Sequence, residues 1–160
     1  MVGTKRNNMN NIIPHESIQS TIEWFNRARP ESTSKDFHAQ TGCHFEEVSE
    51  MLEQLDSIDE VTHTLLIQAE RAMQALATHL KASDNVLQIK DPVLFLDSLC
   101  DQVVTATGVA HTKEYKFLKA LGEVNGSNWS KFEDGHPVYN EDKKIIKGRH
   151  YYKADLSRFV

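Results

Sequence analysis

The segment Phe45-Glu46-Glu47-Val48-Ser49-Glu50 places three carboxylates within five positions, and farther along Asp97 and Asp101 stand four apart in Leu96-Asp97-Ser98-Leu99-Cys100-Asp101. A helix advances about 100° per residue, so Glu47 and Glu50 can converge on one point and Asp97 and Asp101 share one stripe. Carboxylates gathered in this way repel one another. A divalent cation removes that penalty, and Mg²⁺ in particular takes a few carboxylate oxygens together with water and phosphate. The aspartates sit in an otherwise apolar stretch, where unpaired carboxylates are expensive, and no Lys or Arg stands four residues from either to neutralise them. Two acidic pairs on two helices of a bundle are what a carboxylate metal site needs. A solvated acidic face around Glu46, Glu47 and Glu50, and a capping or solvent-edge place for Asp97, are the alternatives.

Helices must position these groups, and apolar periodicity supplies them. A first helix fits Glu16 to about Arg29, with Ile18, Ile22 and Phe25 recurring on one face and Pro30 ending it. A second, from about Phe37 or Cys43 to Leu55, carries the stripe Phe45, Val48, Leu52 and Leu55, with Glu46, Glu50 and Glu53 opposite and Glu47 at the edge. A third spans about Ile58 to Lys81 with Ile58, Val61, Leu65, Ala69, Ala72, Leu76 and Leu80 inward, capped by Asp56 or Ser57. The fourth, Pro92 to about His111, is apolar on most of its circumference. It is therefore expected at the centre of the fold or in a subunit interface. A last helix, about Thr112 to Asn128, turns Phe117, Leu121 and Val124 inward, and the polar Asn140 to Lys143 between two flanking segments suggests a short hairpin or extended tail.

The expectation is thus an all-α multi-helix bundle over residues 15–160 with a loose polar arm over residues 1–14. The length of 160 residues suits one core, and 7 Gly and 4 Pro are too few to punctuate an all-β sandwich or barrel. With 39% apolar and 26% charged residues the composition is that of a soluble globular protein. A net charge of -5 gives no electrostatic footprint for a nucleic-acid polymer. No uninterrupted apolar run reaches the roughly 18 residues of a bilayer crossing, and the N-terminus lacks an apolar signal core. A cytoplasmic protein without a membrane partner is expected. Cys43 and Cys100 lack metal-ligand spacing and are expected to be reduced.

The pattern Glu46-Glu47-x-x-Glu50 followed by Asp97-x-x-x-Asp101 resembles the all-α nucleoside triphosphate pyrophosphohydrolase superfamily, the MazG-like proteins with their dimeric dUTPase and phosphoribosyl-ATP pyrophosphohydrolase relatives. The family signature is EExxE on one helix and ExxD on another. The segment Glu123 to Gly148, with Asn125-x-x-Asn128-x-x-Lys131, looks like the one that follows the bundle in the subgroup nearest the dUTPases. The likeness spans roughly residues 37–155. It implies that Glu47, Glu50, Asp97 and Asp101 bind Mg²⁺, or Mn²⁺ in its place, and that Glu46 orients or deprotonates the attacking water. It also implies that Asn125, Asn128 and Lys131 hold the substrate. Asp97 departs from the family by being one methylene shorter than Glu and four rather than three residues before its partner.

The resemblance implies cleavage of a nucleoside triphosphate, canonical or damaged, to the monophosphate and pyrophosphate, by a homodimer or homotetramer. Hydrolysis of phosphoribosyl-ATP with the same carboxylates is one alternative. A non-catalytic helical adaptor with an acidic face is another.

Overall fold

The computed structural model describes residues 14–84, 86–141 and 145–160. All but the last residue of the expected N-terminal arm falls outside them. The fold is all-α, with α1 Ile18–Ala28, α2 Ser34–Glu53, α3 Glu60–Ala82, α4 Pro92–Thr112 and α5 Phe117–Trp129, and a short 3-10 turn at Ser157–Phe159.

Local chemistry sets the boundaries. At α1 the Ser17 hydroxyl accepts from Ser20 N–H, and Pro30 lies two residues beyond the end. The start of α2 comes three residues earlier than the expected Phe37 because Thr33 and Asp36 form a reciprocal capping box: Thr33 Oγ1 accepts from Asp36 N–H at 3.2 Å, and Asp36 Oδ2 accepts from Thr33 N–H at 2.9 Å. The cap of α3 is Asp59, which accepts from Thr62 N–H at 2.8 Å. The expected cap Asp56 instead pairs with His63 at 2.9 Å, and this contact holds the Asp56 carboxyl below its ordinary range. Asp91 caps α4 by accepting from Val93 and Leu94 N–H, with Pro92 in the first turn where no donor is needed. The start of α5 is five residues later than expected, after Glu114 takes a φ of 59°.

The described residues form two compact units, one within residues 31–95 and the other from residues 14–30 and those after 95. In the first, α2 and α3 pack through a seam of whose buried residues the periodicity singles out only Leu80. From α2 it takes His38, Gly42 and Ser49, and from α3 it takes Ala77 and Leu80, all buried. A Cβ at Gly42 would lie 2.8 Å from Lys81 Cγ and 2.9 Å from the Ala77 carbonyl oxygen, so the bare backbone is what permits the approach. Ser49 Oγ donates to the Glu70 carbonyl at 3.3 Å. Both ring nitrogens of His38 are engaged: Nε2 accepts from Val86 and Leu87 N–H, each at 2.8 Å, and Nδ1 lies 2.6 Å from Ser34 O. The expected α3 stripe is displaced: Leu80 alone of its large side chains is buried, and Ile58, Val61, Leu65 and Leu76 are exposed.

Gly42→Ala therefore has a definite expected effect. Alanine favours the helix by about 1 kcal/mol over glycine, but overpacking costs about 1–3 kcal/mol, and a backbone carbonyl cannot rotate out of the way. A melting temperature a few degrees below wild type is expected; an unchanged or higher value would contradict the close approach.

In the second unit α1 lies against α5. Thr21 Oγ1 donates to Asn125 Oδ1, Trp24 Nε1–H to Asn128 O and Trp129 Nε1–H to Ser20 Oγ. Here too the contact face carries Ser20, Trp24 and Ala28, while the expected stripe residues Ile18, Ile22 and Phe25 are exposed. The C-terminal segment docks on the end of α5: Ser127 Oγ donates to Tyr152 O, and Gly148 N–H to Lys131 O. Of the expected hairpin, one antiparallel bridge joins Tyr139 to Ile145, and residues 142–144 lie outside the described ones.

Every residue of α4 from Pro92 to Val109 is exposed, among them Leu94 at 63%, Leu96 at 62% and Val104 at 66%. Although Asp97, Ser98, Asp101 and Gln102 interrupt its apolar sequence, α4 as a 21-residue helix is long and apolar enough to cross a membrane by length and composition, the one such helix among the described residues.

Candidate functional site

The acidic residues of the first motif all lie on α2. Glu47 and Glu50 are exposed, and Glu46 is half-buried. Glu46 Oε1 accepts from Lys81 Nζ at 2.5 Å across to α3, with each side chain 32% exposed. The surroundings are strongly acidic. Residues 31–95 hold 12 acidic and 4 basic side chains, net -8, and the rest of the chain holds 11 and 14, net +3, which together return the -5 of the whole. A field of this sign attracts cations to α2 and raises their local concentration.

Asp97 and Asp101 are one turn apart on α4 in the other unit, both exposed. Thr105 and Thr107 turn their hydroxyls back onto the α4 carbonyls of Asp101 and Val103, so these polar groups are satisfied within the helix. Cys100, between the aspartates, is a free thiol, as is Cys43.

Asn125, Asn128 and Lys131 follow one another at single-turn spacing through the end of α5. Asn125 is buried and its amide holds the start of α1: Nδ2 donates to His15 O at 2.5 Å and Ser17 O at 3.1 Å, and Oδ1 accepts from Thr21 at 2.9 Å. Asn128 and Lys131 form a polar pair at the half-buried surface, with Nζ donating to Asn128 Oδ1 at 2.8 Å and standing 5.9 Å above the Trp24 ring. Trp24 in turn stacks on Phe132 at 5.6 Å, and Arg27 lies 5.2 Å over Trp129. A cation beside an amide and aromatic faces can meet a phosphate and a base together. Next to them Glu133 accepts from Arg149 N–H at 2.8 Å, and this bond holds its carboxyl below the ordinary range.

Within each acidic pair the donors are carboxylate oxygens, the chemistry a hard divalent cation takes. No group of three or more His, Cys, Asp or Glu side chains that could hold a metal occurs among the described residues. Sequence spacing does not point to Lys81, which is 35 positions from Glu46, nor to Arg27 and Trp24 as neighbours of the Asn128 and Lys131 region. Helical pairing alone brings them there. No family model, curated protein or solved structure matches the chain.

Proposed function

We propose that the protein is a Mg²⁺-dependent nucleoside triphosphate pyrophosphohydrolase. The observation that carries this reading is the pair of exposed carboxylate sets, Glu47 with Glu50 on α2 and Asp97 with Asp101 on α4, each one helical turn apart. Each pair would supply carboxylate oxygens to Mg²⁺, or Mn²⁺, which would neutralise phosphate charge and make a hydroxide-like nucleophile accessible near neutral pH. Glu46 positions a water at the α-phosphorus and takes its proton. The α–β anhydride bond breaks, its electron pair leaves with the pyrophosphate, and the monophosphate carries the water oxygen. Asn128 and Lys131 hold the nucleotide, with the ammonium set against the charge developing on the leaving pyrophosphate. Asn125 supports them from beneath by tying α5 to α1. A deoxynucleotide, canonical or damaged, is the proposed substrate and pool control the proposed role, by analogy with the resembling family.

Lys131→Ala is expected to raise KM about tenfold or more, the worth of a charge-assisted hydrogen bond, without altering Mg²⁺ binding. Unchanged Michaelis parameters would remove the phosphate assignment. Turnover of phosphoribosyl-ATP in preference to nucleoside triphosphates would favour the phosphoribosyl-ATP alternative, and absence of divalent-metal binding would favour the adaptor.

The working form is proposed to be a homodimer or homotetramer built on α4, in the cytoplasm. The eight large apolar side chains of α4 are each 36–75% exposed, more apolar surface than one helix of a monomer ordinarily leaves in water. A bilayer is the poorer cover. Each aspartate at the centre of a spanning helix costs about 2.5–3.5 kcal/mol, whereas an aqueous subunit interface leaves Asp97 and Asp101 hydrated or metal-bound.

A further inference from the structure

Lys81 lies on α3 where it passes Gly42 of α2. With no side chain at position 42, the aliphatic stem of Lys81 crosses α2 at a place where a Cβ would stand 2.8 Å from its Cγ. One turn farther along α2, Glu46 Oε1 receives the ammonium at 2.5 Å. Two features with separate causes, a bare backbone at 42 and a cation at 81, thus converge on the single carboxylate at 46. Cations are scarce here, since Lys81 is one of 4 basic residues against 12 acidic ones in residues 31–95. Ion pairs one-third exposed add little to stability. What the pair does fix is the place of the Glu46 carboxylate relative to its own helix, by tethering one of its two oxygens.

We propose that Lys81 is a positioning residue of the hydrolytic reaction, holding Glu46 Oε1 so that Oε2 faces the attacking water and takes its proton. This inference rests on the pyrophosphohydrolase reading. In the step concerned the water O–H bond breaks, a new O–H bond forms at Glu46 Oε2, and the water oxygen bonds to phosphorus as the anhydride opens. Lys81 exchanges no proton and touches no substrate. Gly42 is part of the same device, because a side chain there would displace the lysine stem.

The test measures kcat and KM at saturating Mg²⁺ for wild type, Lys81→Met, Lys81→Arg, Glu46→Gln and the double variant Glu46→Gln with Lys81→Met. Lys81→Met is expected to lower kcat about tenfold, the scale of a small misplacement of a catalytic group, with KM within about twofold. Lys81→Arg regains most of the loss. The double variant is expected to be no slower than Glu46→Gln alone, because a residue that acts through another has nothing left to contribute once that other is gone. Without nucleotide, Lys81→Met should keep the melting temperature of wild type and its rise on adding Mg²⁺. A raised KM with kcat retained would make Lys81 a phosphate ligand and overturn the inference, and so would a double variant slowed by the product of the two single effects. Active wild type with Lys81→Met unaffected overturns the inference alone. Wild type that releases no pyrophosphate overturns the pyrophosphohydrolase reading and this inference with it.

Discussion

Glu50→Gln and Asp101→Asn are each expected to lower pyrophosphate release by at least about a thousandfold, the scale on which loss of charge stabilisation at a phosphoryl centre is felt, while leaving the apo protein as stable as wild type or slightly more so. The sign follows from electrostatics. Glu50 lies in a segment of net charge -8 and Asp101 one turn from Asp97, so removing one charge relieves repulsion when no cation is present. Added Mg²⁺ should reverse the ranking. A ligand that binds only the folded state stabilises it by RT ln(1 + [L]/Kd), so wild type gains melting temperature with Mg²⁺ and each variant loses most of that gain. Parallel curves for the three proteins would remove the proposed metal-binding role of both residues. Activity lost without any change in the Mg²⁺ response would place the two residues in substrate binding instead.

Leu96→Arg together with Val103→Arg is expected to convert the protein from an assembly of at least twice 18.2 kDa into single chains that remain helical. Both side chains are more than half exposed in the single chain, at 62% and 51%, so within one chain the substitutions cost almost nothing. Against a second copy they would bury two unpaired charges, which an interface does not tolerate. Equilibrium sedimentation at micromolar concentration, with circular dichroism on the same samples, reads mass and fold together. A wild type of single-chain mass in aqueous buffer would contradict self-association. A wild type that needs detergent to stay dispersed would favour a bilayer as the cover of α4.

The same helix shows how far periodicity carries a reader of this chain. The number of helices and the placement of both carboxylate motifs on them follow from apolar spacing, Pro30 and Pro92. The packing seams do not. In α1, α2 and α3 the residues buried inside the chain are Ser20, Ala28, His38, Gly42, Ser49, Ala77 and Leu80, mostly small or polar, because close helix approach rewards missing bulk rather than hydrophobicity. The conspicuous stripes Ile18, Ile22 and Phe25 on α1 and Ile58, Val61, Leu65 and Leu76 on α3 stay exposed with most of α4. Apolar spacing reports that a face is to be covered; whether the cover is the same chain or another copy is not written in it. The start of α2 was legible in principle, since Thr33-x-x-Asp36 follows the logic of a capping box with Asp in place of Glu. The Lys81–Glu46 pair was not, because a contact across 35 positions leaves no local trace.

The catalytic reading itself is tested most directly by incubating the purified protein with a panel of nucleoside and deoxynucleoside triphosphates and phosphoribosyl-ATP, with Mg²⁺ and with a chelator, and separating the products. Pyrophosphate and the monophosphate in equal amounts from at least one nucleoside triphosphate, with Mg²⁺ and not with the chelator, is the expected result. No pyrophosphate from any of these compounds, or release that continues in the chelator, would contradict it.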